Sequence, residues 1–267
     1  MAFSINSTSP LISGNSAKTS ATSFERLSTG SKINQASDDA AGLAISQRMT
    51  TQLDGVNAAI RNSGDAISSI QVADGALESL SKNIGRIQEL ALQSSNGVLN
   101  DTDRQAINAE AEQLIDESNK ILENTNFNGK SLLSSNADLN VQLDSPGSTI
   151  TVKGKDLASE FESLGFADID LSTQAGASSA LKVLKDTSEA TIKRSSELGA
   201  SSNRIESSIE NLATSGINTA EARSRIADAD FAKETADLAA NQIRDQVQIS
   251  VQAQANSNRD GILKLLS

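Results

Sequence analysis

The most suggestive side chains for bond chemistry in this chain are two adjacent carboxylates, Asp38 and Asp39, in "NQASDDAAG". Two carboxylates side by side could share a proton or grip a cation. A simpler role fits better: with Ser37 as N-cap, both aspartates fall in the first turn of a helix, where the helix dipole favours negative charge. A Gly-Lys-Ser in "NFNGKSLL" resembles the end of a phosphate-binding loop, but that loop needs a glycine five residues before Gly129, and Asn124 stands there. Asn6 and Asn100 satisfy the N-glycosylation triplet, a pattern that arises by chance in a chain this rich in Asn, Ser and Thr. With no His and no Cys, imidazole bases, thiolate nucleophiles, Ser-His-Asp triads, disulfides and nearly all zinc sites are excluded together. No catalytic, cofactor-binding or metal site is expected.

The elements that position these residues are helical. Apolar residues recur at steps of three and four from Met49 through Leu53, Val56 and Ile60, then Ile67, Ile70, Ala73, Leu77, Leu80, Ile84, Ile87 and Ala91, with Ser63 interrupting. That heptad seam predicts one helix from about Ser37 to Gln93, roughly 80 Å long at 1.5 Å per residue. "SSNGVLNDTDRQ" supplies a turn and an N-cap, Asn100 or Thr102, for a second helix striped by Ile107, Ala111, Leu114, Ser118 and Ile121, expected to fold back antiparallel and to end at the Asn and Gly of "NTNFNGKSLL". From Ser131 to Ala175 the period shortens. Leu139, Val141 and Leu143 alternate against Ile150 and Val152 across Ser-Pro-Gly-Ser, which predicts a β-hairpin; a short helix in "DLASEFESLGF" and a possible strand in "ADIDLS" follow. Helical periodicity returns at Leu181 and is strict at Leu198, Ser202, Ile205, Ile209 and Leu212, continuing towards Leu266. Pro10 permits a first helix starting near Ser9. The fold class is therefore mainly α: long, coiled-coil-like antiparallel helices, a terminal helix pair and a small β-hairpin region.

Composition agrees. Six Phe, two Pro and no Tyr or Trp leave few of the large side chains that fill a globular centre. Helices touching along narrow stripes need fewer. The net charge of −11 argues against nucleic acid, whose binding rests on clustered Lys and Arg. No apolar run reaches the ~18 residues of a membrane span, and "MAFSINSTSPLISG" lacks the basic and apolar regions of a signal peptide.

Several segments carry a resemblance. "FERLSTGSKINQASDDAAGLAIS", "IGRIQELALQSSNG", "NTNFNGKSLL", "ARSRIADADFAKETADLAANQI" and "VQAQANSNRDGILKLL" resemble, in order and in distance from the two ends, the motifs of bacterial flagellins. The chain is similar to a short form lacking the large variable outer domains. The resemblance implies that residues 1–40 and 230–267 form terminal helices of an inner filament tube, with 41–130 and 175–229 a helical core domain and 131–174 its short hairpin segment. It implies a non-enzymatic subunit that self-assembles into the motility filament, and the alternative is a hook-filament junction protein. A metalloprotease of the kind some flagellins carry needs a His-Glu-x-x-His motif, which a chain without His lacks.

The same resemblance implies partners and sites. The partners would be further copies of the chain, an export chaperone acting on the C-terminal helix, a filament cap and the hook-filament junction. No nucleic acid, membrane insertion or cofactor is implied. The chain would be secreted by the flagellar apparatus without a cleaved signal peptide, and Ser or Thr of the central segment would be O-glycosylated. A toll-like innate immune receptor would read Arg86, Leu90 and Glu110, with Gln88 standing where many members carry Arg. The break from Ser28 to Asp39 would connect the inner and outer layers, with Arg223 and Arg225 pairing Asp38 and Asp39 across it.

Overall fold

The computed structural model describes residues 9–143 and 149–266. Six helices and six short strands follow in the order α1 (Ser9–Thr29), α2 (Ala36–Ser94), α3 (Asp101–Asn124), β1 (Asn126–Phe127), β2 (Lys130–Ser131), β3 (Ser134–Ser135), β4 (Leu139–Gln142), β5 (Thr149–Val152), β6 (Lys155–Asp156), α4 (Leu157–Leu164), α5 (Gln174–Ala227) and α6 (Phe231–Leu266). They divide into two compact units, residues 54–216 and residues 1–53 with 217–267. The mainly helical architecture expected from the periodicity is present.

The core belongs to the 54–216 unit. Along α2 the buried positions of this unit include Val56, Ala59, Ser63, Ala66, Ile70, Ala73, Leu77, Leu80, Ile84, Ile87, Ala91 and Ser94, an alternation of steps of three and four, with Ser69 and Leu90 buried beside that seam. The seam was legible in the sequence, but its early part was misplaced. Ala59, Ser63 and Ala66 face inward, whereas Ile60 and Ile67 are half-buried. Small residues let neighbouring backbones approach, and the Ser63 hydroxyl is satisfied by donating to the Ala59 carbonyl at 2.8 Å. In α3 the same correction applies: Ile115 and Leu122 are buried, while Leu114 and Ile121 are only half-buried.

Polar contacts set the helix directions. Arg86 reaches Glu110 and Arg104 bonds the carbonyl of Ser94, so α3 runs antiparallel to α2. Asp74 meets Ser195, Gln88 donates to the carbonyl of Leu184, and Gln174 donates to that of Ser95. As these contacts advance along α2 they retreat along α5. Arg104, itself buried, also donates to the Leu99 carbonyl at 3.0 Å, so one guanidinium serves a carbonyl at the end of α2, at Ser94, and one in the loop that follows. Of the two candidate caps for α3, Asn100 is the one used, in a reciprocal capping box with Asp103.

The Asn-Gly of "NTNFNGKSLL" does not end α3, which stops at Asn124. Asn128 and Gly129 both have positive φ, 50° and 75°, and turn the β1–β2 hairpin as such pairs commonly do. The predicted hairpin is present, with Leu139 opposite Val152 and Val141 opposite Ile150; its Ser-Pro-Gly-Ser loop lies outside the described residues. Strands β3 and β6 prolong it, Ser134 facing Asp156 and Ser135 facing Lys155. Between the two ladders, residues 136–138 on one side face only 153 and 154 on the other, a bulge-like mismatch. Asp138 fills it, accepting from the Gly154 amide at 3.0 Å and the Lys153 ammonium at 2.7 Å. The Gly154 position is forced, because a Cβ there would lie 2.4 Å from the Ala137 carbonyl oxygen.

The possible strand in "ADIDLS" does not form. Ile169 and Leu171 are buried, but the backbone around Leu171 is satisfied by side chains: its amide donates to Asn108 at 2.7 Å and its carbonyl accepts from Ser94 at 2.6 Å. Phe161 of α4 and Phe166 close this end of the core with ring centroids 5.1 Å apart.

Candidate assembly and recognition sites

In the unit formed by the two ends of the chain, α1 pairs with α6, and each helix is joined to its neighbour through a break. Gly30, at φ +68° and with its amide donating to the Arg26 carbonyl, ends α1. Ser31 then pairs antiparallel with Asp228, in the short interval between α5 and α6. Two backbone bonds flank that pair, Lys32 to the Ala227 carbonyl at 2.7 Å and Ala229 to the Gly30 carbonyl at 2.9 Å. The Ser31 hydroxyl lies 2.9 Å from the carbonyls of Ile33 and Ala227, and Lys32 Nζ donates to the Arg225 carbonyl at 3.0 Å. The two breaks in the helices are thus one structural object.

Neither break is capped as expected. Ser37 is not the N-cap. Asp39 leaves helical geometry at φ −163° and ψ 98° and accepts from the Gly42 amide at 2.9 Å, so Asp39 caps the long run of α2. Asp38 faces the other way. Its Oδ2 accepts from the amides of Asn34 and Gln35, each at 3.1 Å, which holds its carboxyl below the ordinary aspartate pKa. Gly42 is required here by close approach, since a Cβ would stand 2.7 Å from Ile33 Cδ1. Asp230 caps α6 in the same manner, accepting from Ala232 and Lys233 at 3.0 and 3.1 Å.

With their oxygens held by local amides, Asp38 and Asp39 have no bond to Arg223 or Arg225. Arg223 donates to Thr50 at 3.4 Å and Arg225 pairs with Glu221 at 3.5 Å. The ion pair that does join α1 to α6 was not foreseen: Arg26 to Glu234 at 3.3 Å, with the Glu234 side chain 8% exposed. The sequence signal that could have found this half of the junction is "DADF", an aspartate ahead of a helical run, as "SDDA" is ahead of another. Asp38 and Asp39 share a shallow cavity with Arg26, Lys32, Asp228 and Glu234. Among the described residues no group of three or more potential ligands is placed to hold a metal.

The described residues of this unit form little apolar core. Among its described residues the buried hydrophobic side chain is Ile33; the other buried ones are polar, Ser23, Ser46, Glu234 and Asn241. Conversely Phe24, Phe231, Ile243, Val247, Ile249 and Val251 are all more than half exposed. Ile243, Val247 and Val251 are spaced by four and share one side of α6, away from buried Glu234 and Asn241.

On the 54–216 unit, Arg86 and Glu110 are brought together. Arg86 Nε and Nη2 both reach Glu110 Oε1, at 3.0 and 2.8 Å, and Nη1 reaches Glu89 at 3.0 Å. These two carboxylates, Glu110 foremost, raise the Arg86 pKa. Leu90 does not join them at the surface. At 2% exposure it is part of the core, beside buried Ile87 and Ala91, so the apolar anchor expected there is spent on folding.

A helical unit with its own apolar core, continuous in one chain with end helices that carry exposed apolar side chains, has the make-up of a structural protein. Comparison with known proteins says which. Residues 4–138 match the bacterial flagellin N-terminal helical region and residues 181–266 the C-terminal helical region. A flagellin of Halalkalibacterium halodurans is 39% identical over 91% of this chain and 90% of its own, and the flagellar filament 30.7 kDa core protein of Treponema maltophilum is 34% identical over 91% of each. The crystal structure of Bacillus cereus flagellin superimposes with a TM-score of 0.52 at 32% identity, covering 57% of this chain and 88% of that one. The chain belongs to the bacterial flagellin family, in a short form without a large outer domain. It is a structural subunit of the flagellar filament and not an enzyme, and nothing in these relatives favours the hook-filament junction reading.

Proposed function

We propose that the subunit polymerises through its paired terminal helices, which form the inner tube of the filament, while the remaining helices form the surrounding layer. The observation that carries this is the imbalance among the described residues of the terminal unit: Ile33 is their one buried hydrophobic side chain, against the exposed row of Ile243, Val247 and Val251. Burial of that row by neighbouring copies supplies the stabilisation the pair lacks alone, and head-to-tail contacts of this kind propagate without closing. The Ser31–Asp228 pairing fits a connector between layers, since it fixes where both strands change direction.

Finer partners follow from family membership. Export through the flagellar secretion apparatus suits a chain without cysteine, whose end helices unfold readily. An export chaperone would cover the exposed face of α6 until export, and a filament cap and the hook-filament junction would bound the polymer. A toll-like receptor would read the polar cluster of Arg86, Glu89 and Glu110, with Leu90 acting from within the core. Receptor activation by the Arg86→Ala protein is expected to fall, and unchanged activation would refute the epitope. O-glycosylation of the central segment is tested by the intact mass of native filaments.

The assembly reading is tested by electron microscopy of purified protein before and after adding filament seeds. Full-length chain is expected to elongate the seeds; chain lacking residues 1–30 and 238–267, and the double variant Ile243→Asp, Val247→Asp, are expected not to. Elongation by the double variant would overturn the proposal.

A further inference from the structure

Beneath the bulged hairpin of the 54–216 unit lies a cavity of about 290 Å³. Its walls are mostly apolar, with Ile70, Leu139, Val152 and Leu198 among them, and Arg194 and Lys130 line it as well. Arg194 is the unusual member. Its side chain is 4% exposed, yet Nη1 alone is hydrogen-bonded among the described residues, to the Lys153 carbonyl at 2.9 Å, and buried Nε has no partner. The nearest carboxylate, Glu197, is 43% exposed and 3.7 Å away, too far for a good hydrogen bond. Burial pulls the Arg194 pKa below its ordinary value, with Glu197 opposing; the guanidinium stays charged all the same.

A buried cation with unused donors beside an apolar hollow is costly to keep without an acceptor. Lys153, on the same rim, is already neutralised by Asp138 at 2.7 Å, whereas Lys130 has no ion pair among the described residues. With Glu197 set against Arg194 and Asp138 against Lys153, Lys130 is left as the unpaired cation among the described residues lining the cavity, in a chain whose net charge is −11. In size the cavity sits near the lower end of small-molecule pockets, about 300 Å³, and above the ~150 Å³ that admits a benzene ring.

From this geometry we infer that the cavity binds a small organic monocarboxylate, its short apolar body among Ile70, Leu139 and Val152 and its carboxylate towards Arg194 and Lys130. A neutral molecule of the same shape leaves the guanidinium unserved, so charge sets the preference. All the lining residues belong to the 54–216 unit, so the binding test is read independently of the polymerisation test.

The test is calorimetric titration of full-length, unpolymerised chain with hexanoate, and with hexanamide as its neutral isostere. Saturable hexanoate binding, weaker by about tenfold or more for hexanamide, is the expected result. The Arg194→Met protein is expected to lose hexanoate binding by a similar factor. Because that side chain is buried, the exposed Lys130→Glu is measured alongside and is also expected to weaken hexanoate but not hexanamide. No saturable hexanoate binding in the millimolar range, equal binding of both compounds, or hexanoate binding untouched by Lys130→Glu and by folded Arg194→Met would each overturn the inference.

Discussion

Asp38 and Asp39 are neighbours in sequence with opposite tasks: one carboxylate closes the turn behind it, and the other starts the helix ahead. The adjacent pair was visible at once, but its expected place in a first helical turn behind Ser37 is not the one it takes. Which of the residues does the capping was not visible, because Ser37, Asp38 and Asp39 are all good caps and the choice depends on where Ser31 is pinned. The tasks separate on titration. With the Asp38 pKa lowered by the amides of Asn34 and Gln35, its contribution to stability is fully present above the ordinary aspartate value and is lost as pH falls through the lower folded one. Amide resonances of Asn34 and Gln35 are therefore expected to titrate together, with a midpoint below 3.8; a midpoint at or above that value in an NMR titration would count against the assignment. The Asp39→Ala change removes a cap and is expected to cost about 0.5–2 kcal/mol of local stability, with faster hydrogen exchange at the Gly42 amide, whereas Asp39→Asn keeps most of the protection.

At the level of elements, the long helices were legible because their periodicity spans many turns, while the register of burial within them was not. Ranking residues by hydrophobicity puts Ile60 and Ile67 on the seam, whereas the structure uses Ala59, Ser63 and Ala66. Close packing selects for small size there, and a sequence scan for apolar bulk misses it. Similarly, "ADIDLS" alternates like a strand, yet without a partner strand it is held by Asn108 and Ser94. Two substitutions probe these elements. Asn100→Ala breaks the capping box of α3 and is expected to lower stability by about 1 kcal/mol in urea unfolding. Gly154→Ala drives a Cβ against the Ala137 carbonyl and is expected to destabilise more, by about 1–3 kcal/mol as overpacking does. Loss of the slow-exchanging amides of β4 and β5 would mark the damage.

For the whole molecule, the helical pattern at both ends suggested that the two ends pack together, and the resemblance to flagellins placed the terminal segments at 1–40 and 230–267. The compact units divide after Leu53 and after Gly216, beside Asp54-Gly55 and Ser215-Gly216, but both places lie inside the continuous helices α2 and α5, so no loop announces them. The contrast between the units predicts how the molecule melts. The large apolar cluster, from Ala66 to Ile205, lies wholly within residues 54–216, so that segment expressed alone is expected to stay helical and unfold cooperatively. In the full monomer, amides of α1 and α6 are expected to exchange well before those of α2 around Leu77 and Leu80. A single transition in which all helices exchange together would contradict it.

The pairing of Ser31 with Asp228 has a mechanical consequence. Tension applied equally to α1 and α6 is borne by two covalent chains in parallel, and the hydrogen bonds across the pair carry almost none of it. A force that slides one chain past the other loads the bonds from Lys32 to Ala227 and from Ala229 to Gly30 at once, in shear. The junction therefore acts as a coupling that resists slip between the two strands while leaving them free to bend together, a property suited to a rotating shaft that has to pass torque along its length.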